Sequence, residues 1–299
     1  MSDRWDGLMA RLAAGETLDG GDVAALAATT DILTLGMLAD DARRRRHGAE
    51  TTYVRVAELD VPAAGTAPVI PPAAREVRVR AAASTLESHL PALHGVVQAA
   101  GEIPVSACSL ADLESHARTT GTPLLTILRG IRGTGVMSIA EAPIDVLVEA
   151  EAALEAVREA GLGLARLTVQ RQADSAARVA LITRAVELQH ALGWLPSFAP
   201  LPRTWSAASP ATGYEDVRQI ALARLLADNI PSIQVDWSLY GPKLAQVALT
   251  VGADDLDAVS ALDDESEGRR RAPLEEVRRN IQAAALVPVE RDGAFGRIG

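Results

Sequence analysis

The sequence predicts an α/β protein: a single-domain (β/α)8 TIM-type barrel with an N-terminal helical extension. Two observations carry this reading. Eight short apolar or alternating runs recur along the chain, and seven of them are followed by a longer helical stretch. Strands alternating with helices of this length build parallel βαβ units, and eight such units close most economically into a barrel. An open doubly wound sheet is the alternative use of the same elements. A chain of 299 residues with 48% hydrophobic residues can bury a core of that size. The expected division is residues 1–50 for the extension and 51–299 for the barrel.

The segment Asp22 to His47 has the character of one or two helices, stopped by Gly48 at a C′ position. Its last turn holds Arg43, Arg44, Arg45 and Arg46, which suit the helix dipole and are expected to form a solvated face. Strands are predicted at 51–58, where TTYVRVAE alternates, and at 76–80, EVRVR. The stretch between them, 59–74, has four prolines and cannot form a regular element. A helix over 84–100, a strand at 103–107 and a helix opened by Ser109 follow. Thr122-Pro123 starts a short helix, since proline fits the first helical position. A weak strand at 135–139 precedes a long helix over 143–160. Beyond it come a strand at 164–170, a helix over 174–192 closed by Gly193, and a strand at 194–199. A proline-rich loop then runs to Gly213. Helices over 214–228 and 242–251 flank a strand at 232–237. A last strand at 254–259 and a last helix at 273–285 complete the series.

Composition narrows the function. The net charge of −10 repels nucleic acid and anionic lipid, and aromatics at 3% are too few for base-stacking platforms. No membrane-length apolar run and no signal-peptide pattern is present, so the expectation is a cytoplasmic protein. Cys108 is the only cysteine, which rules out an intrachain disulfide, a multi-cysteine zinc site and a three-cysteine cluster. It is expected to serve as a small buried hydrophobe. The histidines, His47, His89, His94, His116 and His190, lie on helical stretches without metal-ligand spacing, so no metal is expected. Lys243 follows Gly241-Pro242 into a helix, away from the strand positions of Schiff-base lysines.

In a barrel, side chains at the carboxyl ends of strands face the site. That geometry nominates Asp255, Asp257, Asp236 and Arg171 as candidate catalytic residues. Trp237, Gln170, Arg203 and Asp254 are candidate ligand-binding residues. Two nearby carboxylates could serve as acid and base if burial separated their pKa values. Such acids also commonly cap the following element or pair with an arginine, and Trp237 could fill the mouth or stack on a base.

The run GYEDVRQIALARLLADNIPSIQ from Gly213, then Trp237, GPKLAQVAL from Gly241, GADDLD from Gly252 and VPVERD from Val287 occur in fixed order. Together with LADDARRRRHG from Leu38 and VSACSLADLESHA from Val105, they resemble the radical-SAM aminofutalosine synthase, dehypoxanthine futalosine cyclase and deazaflavin synthase-like family. The likeness spans nearly the whole chain and is strongest from Gly213 onward. It implies a barrel acting in futalosine-pathway menaquinone or related cofactor biosynthesis. Members hold an iron–sulfur cluster through C-x3-C-x2-C after the first strand, and the open iron chelates S-adenosylmethionine (SAM). Here that loop, 59–74, has no cysteine or histidine. Ser138 to Ala142, where the glycine-rich SAM stretch is expected, has no glycine, and Ala258-Val259 replaces a glycine–threonine pair. The chain therefore resembles a degenerate member, and neither cluster nor SAM is expected. The resemblance implies a pseudoenzyme: a non-catalytic partner or regulator of an active radical-SAM relative, or a homo-oligomer. The alternatives are a redox-neutral lyase, hydrolase or isomerase on a nucleoside-like or aromatic carboxylate intermediate, and a barrel that binds a purine-type ligand.

Overall fold

The computed structural model describes residues 7–8, 10–12, 14, 16, 18–63, 66–204, 213–262 and 273–298. The strands are β1 (Glu50–Asp60), β2 (Glu76–Arg80), β3 (Val105–Ser109) and β4 (Ser138–Pro143). They continue with β5 (Gly163–Leu164), β6 (Leu167–Val169), β7 (Ser197–Pro202), β8 (Ser232–Asp236) and β9 (Asp255–Ser260). The short β5 and β6 share the fifth position, so the ring has eight places. Neighbours pair in parallel, and β9 pairs back onto β1, with Thr52 opposite Asp255. That last pairing closes the barrel and excludes the open doubly wound sheet.

Helices cover the outside. The extension supplies α1 (Gly20–Ala28) and α2 (Ile32–His47). The barrel helices are α3 (Leu86–Ala100), α4 (Leu110–Thr120), α5 (Leu124–Gly133), α6 (Ala150–Glu159) and α7 (Ser175–Leu192). They are completed by α8 (Gly213–Leu226), α9 (Trp237–Leu249) and α10 (Pro273–Ala283). α1 opens with a capping box in which Asp19 accepts from the Asp22 amide and Asp22 from the Asp19 amide. α2 packs along α8, and Gly36 lies where an added Cβ would come within 2.9 Å of Val251. No helix among the described residues is long and apolar enough to cross a membrane.

Several boundaries differ from the sequence reading. The long helix expected from 143 is only α6, because the Glu114 carboxylate accepts from the Val148 and Glu149 amides at 2.9 and 2.8 Å and holds that segment in turns. α9 begins at Trp237, five residues before Pro242, and kinks at Gly241, whose φ of 73° permits the bend. The predicted loop before Gly213 lies, over 205–212, outside the described residues. The loop after β1 has no helix among its described residues, as its prolines require. Val287–Glu290 forms β10, a strand the sequence reading missed, which pairs with the first half of β1 on the edge whose second half holds β2. Its proline and two-sided exposure gave no alternating signal.

From β10 the chain turns under the barrel. Arg291 is 2% exposed and reaches Asp255, which is fully buried, through two bonds of 2.6 and 2.7 Å. The Arg291 guanidinium also lies 4.2 Å from the Phe295 ring centre. Asp255 further accepts from the Gln234 amide at 2.8 Å. The C-terminal segment thus supplies the only described cation bonded to this acid. Arg291→Ala is expected to lower the unfolding free energy by about 3–5 kcal/mol, since it leaves a buried carboxylate unpaired. Replacing Asp255 by Leu in the same chain should recover much of that loss; urea unfolding of the single and double variants measures both.

Candidate functional site

The alternation in EVRVR placed the strand correctly, and the barrel decides which face is which. Val77 and Val79 point to the helices, while Glu76 and Arg78 point inward and are 2% and 4% exposed. Arg78 donates to Glu76 at 3.0 and 3.1 Å and to Asp257 of β9 at 2.9 and 3.2 Å. Arg166, between β5 and β6, also donates to Asp257. Ser106 of β3 donates to Glu76 at 2.5 Å. Two carboxylates and two guanidiniums therefore fill the barrel centre with balanced charge. Burial opposes ionisation of Asp257, but Arg166 and Arg78 outweigh it and hold the carboxyl well below the usual carboxylate range.

Above this layer, at the carboxyl ends of the strands, a cavity of about 500 Å³ opens. β1 contributes Glu58 and Asp60, β2 Arg78 and Arg80, β3 Cys108, β4 Glu141, and the segment after β7 Arg203. Arg80 donates to Asp60 at 3.0 Å and Glu58 at 3.2 Å. Arg203 sits 3.1 Å from Glu141 and donates to Asp236 at 3.0 Å. Asp112, in the first turn of α4, lines the same cavity; burial and then the nearby Glu141 raise its pKa. Burial and Asp112 push the Cys108 thiol up to about 12, so it is neither a ready nucleophile nor a thiolate ligand. The arrangement can hold a small polar ligand between guanidinium and carboxylate groups.

The candidates named from sequence are spread across the fold. Arg203 lines the cavity, and Asp236 and Asp257 lie beneath it as ion-pair partners. Asp236 also caps α9, accepting from the Leu239 amide at 2.9 Å. Asp255 is at the opposite end of the barrel with Arg291. Asp254 faces the helix layer, paired with Arg224 and accepting from the Ile233 amide at 2.8 Å. Trp237 is 7% exposed within the apolar core. Gln170 and Arg171 are outside the cavity wall; their amides donate to Asp145 at 2.7 and 2.8 Å. Sequence reasoning missed Glu58, Arg78, Asp112, Glu141 and Arg166. The charged positions of EVRVR were the available signal, since they alternate with valines too regularly to be a solvated loop.

The region described as CofH/MqnC C-terminal region matches residues 199–295. The 5-amino-6-(D-ribitylamino)uracil–L-tyrosine 4-hydroxyphenyl transferase of Methanosphaerula palustris is 25% identical, over 90% of each chain. The aminodeoxyfutalosine synthase of Thermus thermophilus is 25% identical, over 95% of this chain and 93% of the other. The chain is similar to both enzymes over nearly its whole length. Among solved structures, methylornithine synthase (PylB) superposes with a TM-score of 0.66 at 11% identity, covering 94% of this chain and 97% of that one. HydG, a maturase of the FeFe-hydrogenase, gives 0.65 at 12% identity, covering 96% and 76%. These likenesses establish the shared barrel.

The residues present do not fit the cluster that this relationship implies. Three thiolates are needed where the whole sequence has one cysteine, and that one is on β3, buried and protonated. Among the described residues no group of three or more His, Cys, Asp or Glu side chains is arranged to hold a metal ion. Ser138 to Ala142, near which the resemblance puts the glycine-rich SAM stretch that follows the fourth strand, lies within β4 itself.

Asp257 carries the pH dependence of the interior. A carboxyl held low in the folded state contributes stability above its unfolded pKa of about 4, and that contribution is lost as the pH falls below it. Asp257→Asn should therefore destabilise the protein by about 3–5 kcal/mol at pH 7. The gap to the parent should narrow at pH 3; urea unfolding at the two pH values measures it.

Proposed function

We propose that the protein is a cluster-less, non-catalytic relative of the futalosine-pathway enzymes, working beside an active radical-SAM relative as its partner or regulator. The observation that carries this reading is the mouth cavity without its thiolates. The barrel, its ionic interior and a cavity able to hold a small polar ligand persist, while the loop after β1 has no residue that could ligate iron through sulfur. Association and ligand binding need only the first set of features, whereas radical generation needs the second. The aminodeoxyfutalosine synthase likeness supports placing that partnership in menaquinone biosynthesis.

A second reading, a redox-neutral lyase, hydrolase or isomerase, is favoured by Asp112. Its carboxyl is raised by burial and by Glu141, and a raised acid facing a second carboxylate across a cavity is a common arrangement for proton transfer.

Anaerobic reconstitution with iron and sulfide separates these ideas from radical chemistry. The protein is expected to remain colourless and to leave SAM intact when given dithionite. A brown product with charge-transfer absorbance, or formation of 5′-deoxyadenosine, contradicts both readings. Capture of the active relative from the source cell by the tagged chain supports the first. Turnover of a nucleoside-like or aromatic carboxylate compound that Asp112→Asn abolishes selects the second.

A further inference from the structure

The cavity at the carboxyl ends of the strands has more carboxylates than cations, and the ion pairs show which acid is left over. Arg78 and Arg166 lie at its floor and are committed downward: Arg78 to Glu76 and Asp257, and Arg166 to Asp257. Their approaches to the mouth acids are longer, 3.8 Å from Arg78 to Glu58 and 3.7 Å from Arg166 to Glu141. Two guanidiniums remain for the mouth itself. Arg80 divides between Asp60 and Glu58, at 3.0 and 3.2 Å. Arg203 divides between Glu141 and Asp236, at 3.1 and 3.0 Å. Each of these cations therefore serves two carboxylates.

Asp112 receives none. It lies in the first turn of α4 at the cavity wall, and among the described residues no cation bonds to it. Its raised pKa follows from burial and then from Glu141, with no guanidinium to oppose them. Two carboxylates without a cation between them repel, and a cleft with low-dielectric walls concentrates their field on whatever enters. The wall beside them is small, formed by Ala81, Ala82, Ala140 and Cys108. Cys108 is 4% exposed, and its protonated thiol bonds to no described residue. Its sulfur is an unused, weak acceptor at the cavity wall.

We infer that the mouth takes a small organic cation, a primary ammonium that sits between Asp112 and Glu141 and carries a short hydrocarbon body over Ala81, Ala82 and Ala140. This cation site rests on the reading of the mouth as a ligand cavity and names the chemistry that cavity takes. An ammonium supplies the missing positive charge and donates charge-assisted hydrogen bonds to both acids. An anion of the same size would meet four carboxylates and two guanidiniums that are already shared. The cavity, of about 500 Å³, has room for such a molecule.

Isothermal titration of the full chain with n-butylamine, n-butanol, butyrate and tetramethylammonium tests it, at physiological salt to screen surface attraction. n-Butylamine should bind at one site, with n-butanol and butyrate at least about tenfold weaker, because neither brings a cation. Tetramethylammonium has the charge without N–H donors and should also bind at least about tenfold weaker. Asp112→Asn, at the exposed rim, and Glu141→Gln should each weaken n-butylamine binding about tenfold or more. Ala82→Trp, also at an exposed position, fills the cavity from its rim and should abolish binding. Asp112→Asn decides the matter if either of the other variants does not fold. Absent n-butylamine binding, equal affinity for n-butanol or tetramethylammonium, or binding unchanged in Asp112→Asn overturns the inference. Those results leave the cluster-less, non-catalytic reading standing, since it fails on iron–sulfur reconstitution or on turnover, and the titration measures neither.

Discussion

The barrel is organised around Asp257 and the two guanidiniums that hold it. A closed ring of eight strands has a narrow interior, and this one fills its centre with ions instead of stacked aliphatic side chains. A buried charge is tolerable only when its partners are close and its remaining hydrogen bonds are met. Asp257, Arg78 and Glu76 meet that condition across β2 and β9, and Arg166, from the segment joining β5 to β6, adds the second cation although its Nε has no hydrogen-bond partner among the described residues. The pairs therefore fix the register between strands distant in sequence, because a one-residue slip would turn a charged side chain outward into the helix layer.

The same constraint explains the shape of the mouth. With the centre filled and balanced, the space left for a ligand is the shallow upper layer between Arg80, Arg203, Asp112 and Glu141. At the other end, Arg291 arrives from the C-terminal segment to balance Asp255. Charge in this protein is thus arranged in tiers along the barrel axis, balanced at the centre and the floor and net negative at the mouth, where Glu58, Asp60, Asp112 and Glu141 meet Arg80 and Arg203. A deeply buried, neutralised interior suits a scaffold that positions surface and mouth groups. It offers no free thiolate with which to bind iron, and the single thiol that is present stays protonated.

The likeness to the matched enzymes has a counterpart in the backbone. The bulge in β9, where the pairing with β1 shifts between Tyr53 and Arg55, leaves Ala258 at a φ of 56°. Left-handed backbone is costly for any residue with a Cβ, and glycine is its natural occupant. The sequence reading identified this position as one where the family carries glycine. Alanine here occupies a backbone shape that glycine suits best.

The order and type of the elements were legible in the sequence because they rest on local signals: alternation in 51–58 and 76–80, glycine stops at 48, 101 and 193, and proline clusters between. That the chain has a single cysteine and no C-x3-C-x2-C run is likewise read from the sequence, since counting cysteines needs no coordinates. The site was legible only in part. Spacing showed that Asp254, Asp255 and Asp257 fall in one short run, but not that they serve three different places: the helix layer, the barrel floor and the barrel centre. Side chains of a strand alternate between faces, and bulges reset that alternation, so adjacent acids diverge. Which face of EVRVR is inside, and that Arg291 would meet an aspartate 36 residues earlier, were decided by closure of the ring. Chain-distant charges find one another only after the barrel excludes the water that would otherwise solvate each of them alone.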